Sequence, residues 1–136
     1  MLIFNVEISY SISYYEISIL RKNTGNITGN EENNTMELHI TCIPGDGIGP
    51  EIVRETKKVL DKVAHKYGHK MIYKDILMGG ASIDVHGVPL TEEAIADAKA
   101  ADAVLMGSIG GNTTTSPWYK LPPEKRPEAG LLAMRK

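Results

Sequence analysis

"IPGDGIGPEIV", residues 43–53, sets three glycines and two prolines between an apolar run and the start of a helical pattern. A dinucleotide fingerprint of the form G-x-G-x-x-G requires a further glycine where this chain has Pro50, so the rule breaks at its last position. Gly45, Gly47 and Gly49 still allow a sharp backbone turn, and the free N–H groups of the following helix offer a seat to an anion or to water. Asp46, inside the turn, reads as a turn former. The flanking sequence has to say what the turn serves.

Upstream, "ELHITCI" (37–43) is a short apolar run rich in β-branched residues and closed by Pro44, the pattern of a buried strand. Downstream, Pro50 suits the first position of a helix, where its missing N–H costs nothing. Ile52, Val53, Val59, Leu60, Val63, Ala64 and Tyr67 recur at helical spacing as the inner face, and Gly68 is placed to end the helix in a left-handed cap. "KMIYKDIL" (70–77) predicts a second strand and "MGGASIDVHGVPL" (78–90) a loop. Thr91 caps the next helix, with Glu92 and Glu93 in its first turn and Leu90 placed against Ile95. "AVLMG" (103–107) is a third buried strand. Strand, helix, strand, helix, strand is the grammar of a parallel α/β sheet, whose strand order the sequence does not state.

That third strand opens into "GSIGGNTTTSPWYKLPPEKRPE" (107–128), a long loop at the carboxyl end of a strand, where parallel sheets receive ligands. Trp118 and Tyr119 argue that it packs against something. A last helix starts near Pro127 and puts Glu128, Leu131, Leu132 and Arg135 at i, i+3, i+4 and i+7, on one face. Two readings fit this spacing. One is a stripe of core leucines with end charges matched to the helix dipole; the other is a pocket wall with a carboxylate, an apolar patch and a guanidinium.

The 136 residues make one modest domain, and a net charge of −2 with both signs interleaved excludes a basic stripe for nucleic acid or an anionic membrane. The lone Cys42 forms no internal disulfide and reads as a buried thiol in a reducing compartment. No apolar run approaches the ~18 residues of a membrane span, and no signal peptide is legible, so a cytoplasmic protein is expected. His39, His65, His69 and His86 lack metal-ligand spacing, and no nucleophile has a base beside it. Composition changes at Met36: residues 1–35 contain no alanine or proline and six of the seven asparagines.

"IPGDGIGPEIV", "GGASIDVHGVPLTEEAIADAKAADAVLMGSIGG" and "LPPEKRPEAGLLAMRK" resemble, in this order, the amino-terminal segments of isopropylmalate dehydrogenases, within the isocitrate/isopropylmalate family of β-decarboxylating dehydrogenases. The likeness runs from Met36 to Lys136. Residues 1–35 have no counterpart and are expected to be a disordered extension or a mis-assigned start. The resemblance implies an α/β parallel-sheet, isopropylmalate-dehydrogenase-like fold, not a standard Rossmann domain and incomplete here. In that fold the glycine turn is a packing element beside the cofactor cleft.

The resemblance also implies oxidation of 3-isopropylmalate by NAD, followed by Mg²⁺- or Mn²⁺-assisted loss of its β-carboxylate, in leucine biosynthesis, by an enzyme that is a homodimer when complete. Carried onto this chain, the cofactor residues are Gly111, Trp118, Pro122, Pro123 and Glu128, although "NTTTSP" lengthens the loop before Trp118. Leu131 and Leu132 meet the isopropyl group, and Arg135 meets a substrate carboxylate. Leucines there disfavour isocitrate, whose extra carboxylate would lie unpaired against them. A segment of a D-malate-, tartrate- or isocitrate-type relative, or a non-catalytic truncated product, is the alternative. The family's catalytic tyrosine and lysine and its metal-binding aspartates lie beyond residue 136. Neither catalytic nor metal residues are therefore expected in this chain, which alone should be inert.

Overall fold

The computed structural model describes residues 35–136 and the backbone of Leu2–Asn5. Most of the extension expected over residues 1–35 therefore lies outside the described residues. The elements are β1 (Leu2–Asn5), β2 (Glu37–Ile43), α1 (Gly49–Tyr67), β3 (Lys70–Asp75), α2 (Gly80–His86), α3 (Glu92–Ala100), β4 (Ala103–Met106) and α4 (Pro127–Met134). Two short 3₁₀ turns, Pro117–Lys120 and Pro123–Lys125, precede α4.

All strand pairs are parallel, in the order β1-β4-β2-β3. β2 is the inner strand of the β4-β2-β3 group because its last four residues are all buried. Its side chains alternate between two cores. Ile40 and Cys42 join Val53 of α1 and Leu105 on one face, with Leu60, Met71 and Tyr73 around them. Ile43 joins Val104, Met106, Ala94 and Ala98 of α3, and Met134 of α4 on the other. A sheet covered on both faces explains why β2 and β4 read as continuous apolar runs. Each large side chain so buried contributes roughly 1.5 to 3 kcal/mol.

The local signals at helix ends are borne out. Pro50 sits in the first turn of α1, and Gly68 ends it at φ 70°. Thr91 Oγ1 accepts the Ala94 N–H at 3.1 Å and caps α3. Two expectations need correction. Residues 78–90 are not a loop throughout, since α2 forms within them. On α1 the inner face is narrower than the spacing predicts: Val53 and Ala64 are buried, but Val59 and Tyr67 are both 62% exposed and Val63 is exposed as well. The reason is the position of β2, β3 and β4, which reach only one side of a long helix.

Candidate functional site at the carboxyl ends of β2 and β4

β2 and β4 are neighbours, yet the chain leaves them toward opposite faces of the sheet: from β2 into α1, from β4 toward α4. Such a divergence is where open parallel sheets form a ligand crevice. Here its floor is closed by backbone packed on backbone. A methyl group on Gly45 would lie 2.1 Å from the Ser108 carbonyl oxygen, and one on Gly107 would lie 2.4 Å from that of Pro44. The glycine turn is thus a seam between two strand ends. The first amides of α1 are also spoken for, with Gly49 N–H on the Asp46 carbonyl at 2.9 Å and Ile52 N–H on that of Ile48 at 3.2 Å.

Asp46 is more than a turn former. Its side chain is 4% exposed and accepts three backbone N–H groups: Gly80 at 2.9 Å, Ala81 at 2.8 Å and Gly110 at 2.8 Å. Its main chain is locked to Ser108, whose carbonyl accepts the Asp46 N–H at 2.7 Å and whose hydroxyl donates to the Asp46 carbonyl at 2.7 Å. One carboxylate thereby joins the β2 turn, the N-terminus of α2 and the loop after β4, and its charge complements the helix dipole. No serine, threonine or asparagine precedes α2 to cap it. The pair Gly79-Gly80 in front of an apolar helical pattern was the available signal that the cap comes from elsewhere. Gly79 has to be glycine: its φ is 78°, and a methyl group there would meet the Asp46 carboxylate at 2.5 Å.

From Gly110 the chain makes an arm that returns to α4. Asn112 Oδ1 accepts the Thr114 and Thr115 N–H groups at 2.9 and 3.1 Å, which gives the lengthened stretch a defined turn. Trp118 lies on Gly80 and donates its indole N–H to Asp84 at 2.8 Å, so the arm is pinned to α2. The Tyr119 hydroxyl donates to Glu128 Oε1 and accepts the Gly111 N–H at 3.4 Å. The bond to Glu128 holds the Tyr119 phenol above its ordinary pKa, partly offset by the Gly111 N–H. Arg126 bonds the Leu121 carbonyl at 2.9 Å and lies over the Tyr119 ring at 6.0 Å.

These contacts gather Gly111, Trp118 and Glu128 about one turn. A methyl group on Gly111 would sit 3.2 Å from the Trp118 ring, and one on Gly110 would sit 3.1 Å from Glu128 Oε1. Pro122 and Pro123 are exposed and bend the arm through the second 3₁₀ turn. On α4 the four spaced residues part company. The buried stripe is Pro127, Gly130 and Met134, and half-buried Leu131 packs beside it on the core. Leu132 is 64% exposed and Arg135, at the end of the helix, is exposed too. Gly130 lets α4 come this close, since a methyl group there would lie 2.7 Å from the Pro89 carbonyl oxygen.

The rim of the arm and α4 therefore offers a carboxylate, an exposed leucine and a guanidinium, a set that can accept from hydroxyls, cover an apolar group and pair with an anion. Among the described residues no three His, Cys, Asp or Glu side chains converge to hold a metal ion.

The 3-isopropylmalate dehydrogenase of Wolinella succinogenes is 54% identical over 100 residues, which cover 74% of this chain and 27% of that protein. That of Anaeromyxobacter dehalogenans is 50% identical over 101 residues, covering 74% of this chain and 28% of its own length. The crystal structure of an apo β-decarboxylating dehydrogenase from Thermococcus kodakarensis superposes with a TM-score of 0.47 at 29% identity, over 55% of this chain and 21% of that one. The chain thus spans little more than a quarter of the relatives it matches. The pattern described as isocitrate/isopropylmalate dehydrogenase matches residues 39–136, from β2 through the Asp46 turn and the arm to the end of α4, and the chain belongs to that family.

Proposed function

We propose that this chain is the amino-terminal segment of an NAD-dependent 3-isopropylmalate dehydrogenase of leucine biosynthesis, working in the cytoplasm as a homodimer. The observation that carries the reading is the match at about half identity, across three quarters of the chain, to proteins bearing that name. The rim supports it. Glu128 keeps Oε2 without a partner among the described residues, an acceptor suited to a ribose hydroxyl of NAD. Leu132 and the outer part of Leu131 cover the isopropyl group, and the planar fork of Arg135 pairs with a carboxylate. An isocitrate carboxylate in place of the isopropyl group would be desolvated against the leucines without a partner, at a cost of several kcal/mol.

When bound, NAD supplies the acceptor for the hydride of the hydroxyl-bearing carbon, and Mg²⁺ or Mn²⁺ supplies the positive charge that favours loss of the β-carboxylate. This segment's share is to orient the substrate by its side chain and one carboxylate, with Asp46 and Trp118 holding the arm that brings Glu128 to the rim. The proton-transfer and metal-holding groups belong to the rest of the enzyme.

The test is a splice. Residues 36–136 replace the matched segment of the Wolinella succinogenes enzyme, and the purified chimera is assayed with NAD, divalent metal and each of 3-isopropylmalate, isocitrate and D-malate. Turnover with a preference for 3-isopropylmalate is expected. A folded chimera that prefers either of the other acids would sink the assignment.

A further inference from the structure

Glu128 lies at the start of a short helix, where a glutamate on an exposed rim samples several rotamers unless something holds it. Here one oxygen is taken by the Tyr119 hydroxyl. That hydroxyl has a single proton, and the Gly111 N–H already occupies a lone pair, so the proton is committed to Glu128. Adjacent amides of the same turn are thus gripped from two sides: Gly110 by buried Asp46, and Gly111 by Tyr119. Gly110 sits at φ 102°, a conformation open to glycine and rarely adopted by residues with a side chain, which lets the turn run between the two grips. Arg126 covers the Tyr119 ring and is itself fixed to Leu121.

We infer that Tyr119 is a positioning residue for the dinucleotide: its hydroxyl fixes the Glu128 carboxylate against the Gly110–Gly111 turn and leaves Oε2 as the acceptor presented to a ribose hydroxyl. The inference rests on the proposed function and goes beyond it by assigning a role to a side chain that need not touch the ligand. A preorganised acceptor binds more tightly because its ordering cost is met before the ligand arrives.

Tyr119→Phe in the complete dehydrogenase removes the hydroxyl and leaves the ring under Arg126. Binding of NAD and of 3-isopropylmalate is measured separately by calorimetry, with KM for each and thermal melts alongside. NAD affinity is expected to fall about tenfold, the worth of one hydrogen bond to a charged group, while affinity for 3-isopropylmalate stays within about twofold. In a Glu128→Ala background the same change should have little further effect on NAD binding, because the acceptor it positions is gone. Equal loss for both ligands together with a lowered melting temperature would reduce Tyr119 to scaffold, and unchanged or fully additive NAD affinities would overturn the inference outright. If the wild-type enzyme turns over 3-isopropylmalate while Tyr119→Phe binds NAD normally, this inference alone falls. A wild-type enzyme that binds no dinucleotide overturns the proposed function and this inference with it.

Discussion

Asp46 shows how much one buried side chain can organise when its partners are main-chain amides. It carries three N–H bonds from two distant segments, so its removal strands three donors in a dry seam. Asp46→Ala is expected to cost about 3 kcal/mol or more, read from the urea midpoint; a loss under about 1 kcal/mol would contradict the hub. Cys42 gives a residue-scale prediction of a different kind. It is fully buried, and burial pushes its thiol up to about 11 from 9.0. Because the folded value lies above the unfolded one, the stability linked to this thiol is intact below pH 9 and declines as pH rises toward 11. The native protein should therefore resist thiol reagents at pH 8 and become reactive on unfolding. Rapid labelling of the folded protein would count against a sealed core. Asp46 was legible as a turn residue and no more, since nothing in residues 43–53 says that Gly80 and Gly110 will be brought to it.

At the scale of elements, α1 and α3 have legible ends because their stop and start signals are local: Pro50, Gly68 and the Thr91 cap act within a few residues. α2 was missed because its cap comes from Asp46, more than thirty residues away in sequence. α4 was found, but its faces were not separated. Leu131 packs on the core and Leu132 faces outward, so truncating the two to alanine should have opposite signatures. Leu131→Ala is expected to lower stability by about 2 kcal/mol. Leu132→Ala should leave stability within about 0.5 kcal/mol. In the complete enzyme Leu132→Ala should also reduce kcat/KM for 3-isopropylmalate by about tenfold or more, with a smaller loss for D-malate, which has no isopropyl group. Melts and two-substrate kinetics on both variants decide it. Unchanged substrate preference in Leu132→Ala would leave α4 a packing helix.

For the whole molecule, the described sheet has β3 at one edge, and α1 presents Val59, Val63 and Tyr67 among lysines, exposed among the described residues. In the function proposed above, the rim supplies binding groups and the proton-transfer groups belong to the rest of the enzyme. Purified alone, this chain is expected to show no NAD reduction above background with 3-isopropylmalate and Mn²⁺ or Mg²⁺; measurable turnover would contradict the division of labour proposed for it. Its exposed edge and apolar stripe should also make it self-associate, which sedimentation at rising concentration would reveal.

What the sequence by itself determined is what short-range chemistry determines. Apolar runs of strand length, Pro50 and Thr91 at helix starts and Gly68 at a helix end locate most elements, and their alternation dictates a parallel α/β sheet. The ordered motifs point to the family whose pattern matches residues 39–136. Only the tertiary structure decided that β2 lies between β3 and β4, that Gly45 and Gly49 serve a seam with Gly107 and Ser108, and that Asp46, Gly110, Tyr119 and Glu128 form one connected network. The physical reason is range. Capping and turn preferences are energies of neighbouring residues, whereas a buried carboxylate or a backbone-to-backbone contact acquires its meaning from whichever distant segment folding delivers to it.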